Sequence, residues 1–233
     1  MNEAREQILA AIQRSLKRAR LDAARETELR ERVAAHRRNL IPARAAALDD
    51  TGRIDLFVAM AEEVQATVAR VGSPAAVPEA VARYLATENL PADLVLAPDP
   101  SLDDLPWDAR PLLRIRRGPA EAGDTVSLTP CFAAIAETGT LMLVSGPETP
   151  TTLNFLPDTH IVLVYADQIV ATYEDGWDRL RTTGRMPRAI NFVTGPSRTG
   201  DIEQRIELGA HGPRRLHIIV VDDPQKAGDG KDK

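Results

Sequence analysis

The stretch Ile161-Val162-Leu163-Val164-Tyr165 decides how this chain folds. Five apolar residues in an unbroken run, with no polar alternation, describe a strand buried on both faces. Each such side chain contributes roughly 1.5–3 kcal/mol when it leaves water. Leu216-His217-Ile218-Ile219-Val220-Val221 is a second run of this kind and supplies a last buried strand. Ahead of them a β-α-β rhythm recurs. It comprises a short strand near Ala75–Val77, a helix from Pro78 to about Thr87, a strand over Asp93–Ala97 and a strand candidate at Leu112–Arg116. Strands alternating with helices pair in parallel and carry helices on the sheet faces, so the expected fold class is α/β.

Outward from that core, Ile54–Val71 reads as one long amphipathic helix (Leu56, Phe57, Met60, Val64, Val68), stopped by Gly72-Ser73-Pro74. Asp99–Pro111 is rich in Pro and Asp and reads as a loop in which Trp107 is an anchor. A helix is expected from Asp167 to about Thr183 with Trp177 on its packed side, and a strand over Ala189–Val193. Residues 1–50 form an N-terminal amphipathic arm. One helix is capped by Asn2 and striped by Ile8, Leu9, Ile12 and Leu16; a second runs from about Ala24 to Leu40, before Pro42. Neither stripe is wide enough for a core of its own, so the arm packs on the body or on another subunit. The expected organisation is the arm (1–50), an α/β domain (51–223) and a disordered tail (224–233).

Charge divides the same way. Residues 1–48 carry 11 Lys/Arg against 6 Asp/Glu, a net of +5, which leaves −10 on the remainder of a chain whose total is −5. The arm is thus either a solvated face or a surface for docking. Nucleic acid is not the expected partner, because the arm holds no aromatic residue and the body repels phosphates. No apolar run reaches the roughly 18–20 residues that span a bilayer. The N-terminus lacks a signal-peptide core, and Glu3 and Glu6 disfavour an import presequence, so a cytoplasmic protein is expected. Cys131 is the single cysteine, which rules out an internal disulfide and an iron–sulfur cluster held by four thiolates of this chain.

Two stretches carry candidate chemistry. Ala189–Pro213 reads AINFVTGPSRTGDIEQRIELGAHGP. Its apolar start, Gly195-Pro196 break and following Ser197, Arg198, Thr199, Gly200 and Asp201 suit a strand, a tight turn and a helix N-terminus. Such a junction offers N–H groups to an anion, with Arg198 adding charge, although Asp201 and Glu203 compete for the same dipole. Further on, Gly209-Ala210-His211-Gly212-Pro213 sets an imidazole between glycines, where a ligand can approach closely. In Val126–Pro147, the apolar segments Phe132–Ala136 and Leu141–Val144 flank Glu137-Thr138-Gly139-Thr140, a strand–turn–strand unit. Glu137 there either accepts turn N–H groups or faces a ligand as acid or base. His160, at the amino edge of its strand, is read as structural, since open α/β sheets bind ligands at the carboxyl edge. The polar loop Glu148–Asn154 is placed to run over a site mouth. No Walker A loop, GxGxxG, HExxH or CxxC occurs, and histidines 36, 160, 211 and 217 lack ligand-like spacing, so no metal site is assigned.

The segments AIAETGTLMLVSGP (134–147), LPDTHIVLV (156–164), GPSRTGDIE (195–203) and GAHGPRRLHIIVV (209–221), in this order, resemble the LUD-domain family in its lactate-utilisation protein C, or YkgG-like, branch. The resemblance implies a three-layer fold related to the NagB/RpiA/CoA-transferase class, with a mostly parallel central sheet and a helical N-terminal part. For function it implies an accessory role in oxidation of L-lactate to pyruvate beside iron–sulfur proteins that carry the redox centres. No cofactor is then expected on this chain.

Two functions of different class follow. One is a non-redox component that binds iron–sulfur partner subunits and a small anionic metabolite; homo-oligomerisation stays open. The other is a stand-alone enzyme of the CoA-transferase or sugar-phosphate-isomerase-like class, acting on a phosphorylated or CoA-linked metabolite. In both, Glu137, Asp201 and His211 are the expected catalytic groups. Thr138, Gly139, Thr140, Gly195, Ser197, Arg198, Thr199 and Gly212 are the expected ligand-binding ones.

Overall fold

The β-branched and leucine-rich runs of the body pair into one six-stranded sheet in which every neighbouring pair is parallel. The structure, a computed structural model, describes residues 2–17, 21–38, 41, 43–202 and 205–223. The chain divides into two units, residues 1–40 and 41–233.

The first unit holds α1 (Asn2–Ser15) and α2 (Ala23–Ala34). Asp22 caps α2 by accepting from the Arg25 N–H at 2.7 Å. This helix ends at Ala34, short of the expected Leu40, and His36 takes a left-handed φ of 43° just beyond it. Ile8, Leu9, Ile12, Leu16 and Val33 are all exposed.

The second unit begins with α3 (Ala43–Ala46) and α4 (Asp50–Glu63), and the chain then enters β1 (Thr67–Val71). There follow α5 (Val77–Thr87), β2 (Asp93–Leu96), α6 (Pro100–Asp103), β3 (Arg114–Arg117) and β4 (Val126–Pro130). Next come β5 (Ala133–Ile135), β6 (Thr140–Val144), α7 (Thr152–Phe155), β7 (Thr159–Tyr165) and β8 (Ile169–Val170). The chain closes with α8 (Tyr173–Thr182), β9 (Ile190–Val193), β10 (Arg198–Ile202), β11 (Arg205–Leu208) and β12 (Arg215–Val221).

The parallel sheet has the order β1-β12-β7-β4-β2-β3. The run at 161–165 falls in β7, an interior strand buried along its whole length. One sheet face (Ile161, Leu163, Ile219, Val221) packs on Val77, Val81 and Leu85 of α5 and on Leu102 and Trp107. Trp107 donates its indole N–H to the Leu102 carbonyl at 2.7 Å and is the anchor expected of it. On the opposite face Val162, Val164, Ile218 and Val220 meet Phe57 and Ala61 of α4 and Leu141 and Leu143 of a second sheet. That sheet has the order β8-β5-β6-β9, with β5–β6 and β6–β9 antiparallel. Its other side carries Leu180 and Trp177 of α8 against Ala133 and Met142. The result is a mixed α/β body with a parallel sheet at its centre.

Four expectations of local structure are corrected. The helix read over Ile54–Val71 stops at Glu63, Gln65 takes a φ of 69°, and Thr67–Val71 pairs residue for residue with His217–Val221. Five ladder positions on a buried neighbour outweigh a helical stripe that Val64 and Val68 merely prolong. The strand near Ala75–Val77 is instead a 3-10 turn, Pro74–Ala76, where the fixed φ and missing N–H of Pro74 suit a first turn. The helix expected from Asp167 starts only at Tyr173, after β8, because Thr172 and Asp175 form a reciprocal capping box. Among the described residues no helix follows Gly195-Pro196. β10 and β11 form an antiparallel hairpin there, which the glycine at 200 and the β-branched Thr199, Ile202 and Ile206 favour over a helix.

Candidate functional site

β9 ends at Val193 and hands Thr194-Gly195-Pro196-Ser197 to the amino edge of the parallel sheet. Gly195 is required there. It holds a φ of 74°, and a Cβ would stand 3.3 Å from Val64 Cβ and closer still to the Val64 carbonyl oxygen. Ser197 is then sewn to the segment before β12. Its N–H donates to the Pro213 carbonyl at 2.8 Å, its carbonyl accepts from the Gly209 N–H at 3.0 Å, and its Oγ accepts from the His211 N–H at 3.3 Å. The two halves of the stretch 189–213 therefore do meet.

Where they meet lies a cavity of about 260 Å³. Phe155, Phe192, Pro196, Pro213 and Leu216 give it apolar walls, and Asn154, His160, Thr194, Ser197 and His211 give it polar points. His160 and Leu216 are adjacent across β7 and β12, one residue inside the amino end of each strand. His160 is fully buried. Its Nε2 shares a 2.8 Å hydrogen bond with Thr129 Oγ1, and Nδ1 has no partner among the described residues. Burial pushes its pKa down to about 3, so the ring is neutral.

The expected site residues divide. Gly195, Ser197, His211 and Gly212 line the cavity, whereas Glu137, Thr138, Gly139, Thr140, Arg198 and Thr199 do not. Glu137 Oε1 accepts from the Tyr173 N–H at 3.1 Å, at the N-terminus of α8, and its own carbonyl accepts from Arg44. This is the dipole-facing use of a buried carboxylate. Thr138 and Thr140 share a hydroxyl cluster with the Tyr173 OH, spaced 2.7–3.1 Å, and Thr140 reaches Thr194 Oγ1 at 2.7 Å. Gly139 carries the turn between β5 and β6 against the backbone of Met60 and Ala61. Arg198 donates to the Val64 carbonyl at 2.7 Å, and Thr199 pairs across the hairpin with Glu207. Asp201 stands in β10, and Glu203 lies outside the described residues.

With a hairpin in place of a helix, the junction at 195–198 has no helix dipole to offer an anion. Among the described residues no Lys or Arg lines the cavity. It offers hydrogen-bond partners between apolar walls, an environment for a small molecule. The carboxyl edge is less hospitable to an anion. Its crevice, about 540 Å³, is flanked by Asp104 and Asp223; burial, and then Asp104, Asp167 and Asp99, raise the pKa of Tyr165 there.

His160, Asn154, Phe155 and Leu216 are the lining residues that pattern alone does not assign. The one signal for them is a polar side chain opening an otherwise apolar strand. Cys131 is buried, its thiol donating to the Ala133 carbonyl at 3.0 Å, and burial pushes its pKa up to about 12.

A model of the LUD domain matches residues 54–221. Lactate utilization protein C of Deinococcus radiodurans is 42% identical over 95 residues, covering 40% of this chain and 45% of that protein. Lactate utilization protein C of Shouchella clausii is 35% identical over 120 residues, 50% of this chain and 52% of that protein. These matches thus span about half the length of the curated relatives. The crystal structure of a DUF162 family protein from Deinococcus radiodurans superposes with a TM-score of 0.59 at 29% identity, covering 75% of this chain and 99% of that one.

Proposed function

The chain belongs to the LUD-domain family, and from that premise we propose that it serves lactate utilisation as a non-redox component working beside iron–sulfur proteins that oxidise L-lactate to pyruvate. The names borne by its relatives support the pathway. The observation that carries the non-redox part is Cys131. A lone thiol, buried and held far from ionisation, supplies neither the number nor the form of ligand that a cluster takes. Electrons then pass through partner proteins in the cytoplasm. The basic arm, with its exposed Ile8, Leu9, Ile12 and Leu16, is the surface offered to those partners. A small metabolite occupies the amino-edge cavity.

The competing function, a stand-alone enzyme for phosphorylated or CoA-linked metabolites, finds less support. Its anion site needed a helix N-terminus at Ser197 and a free Arg198, and the hairpin and the Val64 carbonyl take both.

The test is reconstitution. The tagged chain should co-elute with the iron–sulfur proteins of a lactate-oxidising system, and adding it should raise their lactate-dependent dye reduction. Failure of both overturns the proposal. A saturable thermal shift with CoA esters or sugar phosphates would favour the competing enzyme.

A further inference from the structure

We infer that a crevice at the carboxyl ends of β2 and β4 binds a small zwitterionic α-amino acid, with Arg179 receiving its carboxylate and Asp99 its ammonium. The inference goes beyond the function proposed above and stands without it.

The topology selects the place. β2 and β4 are neighbours and run parallel. After β2 the chain passes outward to β3 at one rim of the sheet. After β4 it returns, by way of β5 and β6, to β7 on the opposite side. Where the connections of two adjacent parallel strands diverge in this way, a crevice opens beyond their carboxyl ends, and open α/β sheets take ligands there. Such a crevice is present, with a volume of about 290 Å³. Asp99 enters it just past β2, Pro130 at the end of β4, and Arg179 from α8.

The charges select the ligand. Asp99 and Arg179 are both half-buried, line the same crevice and do not pair with one another. Asp99 Oδ1 accepts from the N–H and the hydroxyl of Ser101 at 2.9 and 2.6 Å, and its Oδ2 takes no hydrogen bond among the described residues. Arg179 donates from Nη1 to the Asp167 carbonyl at 2.7 Å, and its guanidinium carbon stands 5.9 Å from the centroid of the Phe132 ring. Its other N–H groups have no partner among the described residues. Two opposite charges held apart in one crevice match a ligand that carries both. A lone carboxylate on Arg179 would face Asp99, and a lone amine on Asp99 would face Arg179; either leaves one charge partly desolvated without a counterion. Phosphate meets the same carboxylate with a second negative charge. Phe132 and Val144 offer apolar wall to an aliphatic side chain. The volume lies just below the range of roughly 300–1,000 Å³ typical of drug-sized ligands, which suits an amino acid and excludes a coenzyme or nucleotide.

The full chain is titrated by calorimetry and thermal shift with L-alanine, L-valine and L-leucine. Propionate, propylamine and sodium L-lactate, which keep one charge each, and inorganic phosphate serve as controls. The expected result is saturable binding of at least one amino acid, with every control weaker by roughly tenfold or more. Two variants locate the site. Asp99→Asn keeps an oxygen to cap α6, and Arg179→Gln gives up one bond to a carbonyl and one ring contact, so both should fold. Each should weaken amino-acid binding by roughly tenfold at an unchanged melting temperature of the free protein. Should Arg179→Gln melt early, Arg179→Lys, which keeps the charge and loses the planar fork, serves in its place with a several-fold loss. No saturable response to any of the amino acids, a control that binds as well as they do, or unchanged affinity in either variant overturns the inference.

Discussion

Arg198 donates its guanidinium N–H to the carbonyl of Val64 at 2.7 Å, closing the C-terminal end of α4 beneath the turn at Gly195. The side chain is exposed, and its acceptor is an orphan carbonyl just past a helix end, so the bond is of the modest, solvent-shared kind. Arg198→Ala should cost about 1 kcal/mol in urea unfolding and leave ligand affinity at the amino-edge cavity unchanged. A loss of affinity without a loss of stability would return Arg198 to the binding site.

Gly139 makes a tighter contact with the same helix. It sits at a φ of 64°, and a Cβ would lie 2.5 Å from the Met60 carbonyl carbon and 2.7 Å from Ala61 Cα. Backbone cannot give way as a flexible side chain can. Gly139→Ala should destabilise the body by roughly 2–4 kcal/mol, combining left-handed strain with overpacking, and should lift the β5–β6 turn away from α4. Hydrogen exchange at Ala133–Ile135 and Thr140–Val144 would report the loosening, and an unchanged urea midpoint would refute it.

What the sequence reveals and what it hides differ for physical reasons. An unbroken apolar run such as Ile161–Tyr165 has one stable outcome at that length, and β7 follows. Thr67–Val71 has two, since Val64 and Val68 continue a helical stripe; only the vacant edge of β12, more than a hundred residues away, decides. Gly195-Pro196 followed by hydroxyls suits a helix cap and a hairpin equally, and the choice falls to the pairing of Arg198 with Leu208 in the returning strand. The meeting of Ser197 with His211 is legible because each lies within a short step of a glycine, Gly195 and Gly212, that permits close approach. The ETGT turn joins them only indirectly, through Thr140 and Thr194. His160 is legible as an amino-edge residue, but the rule favouring the carboxyl edge points away from it, toward a crevice whose Asp104 and Asp223 disfavour an anion.

Glu137 tests whether a buried carboxylate serves structure or chemistry. Its Oε1 accepts from the first N–H of α8. Glu137→Gln keeps an acceptor oxygen and loses only the charge–dipole part, about 0.5–1 kcal/mol, whereas Glu137→Ala leaves the Tyr173 N–H unpaired and should cost about 1–2 kcal/mol. Lactate-dependent activity with partners should survive Glu137→Gln. Its abolition at full stability would make the carboxylate a working acid or base.

Cys131 should be inert in the native protein. Its Sγ is buried between β4 and β5, bonded to the Ala133 carbonyl, and its pKa stands at about 12, so thiolate is scarce at neutral pH. Alkylation by iodoacetamide should proceed only as fast as the fold opens and should accelerate in urea in step with unfolding. Rapid labelling without denaturant would contradict the burial.

Stability should fall as the solution is acidified below about pH 6.5, and two histidines set the slope. Burial holds His160 at a pKa of about 3 and His217 at about 4, against about 6.5 when unfolded. His217 is locked by stacking on Tyr84, centroids 3.8 Å apart, and by a 2.8 Å bond between Nδ1 and Thr67 Oγ1. Both rings stay neutral in the fold while the unfolded chain takes up protons, so unfolding consumes protons throughout the window from about 6.5 down to about 4. Their contribution is complete above pH 6.5 and is lost on acidification, with His160 continuing toward pH 3. Two protons correspond to a slope of at most about 2.7 kcal/mol per pH unit near pH 5. Urea unfolding at pH 7, 6, 5 and 4.5 measures it. His217→Gln, though less stable overall for want of the Tyr84 stack, should show about half the slope. An unaltered slope in that variant would place the proton uptake on other groups.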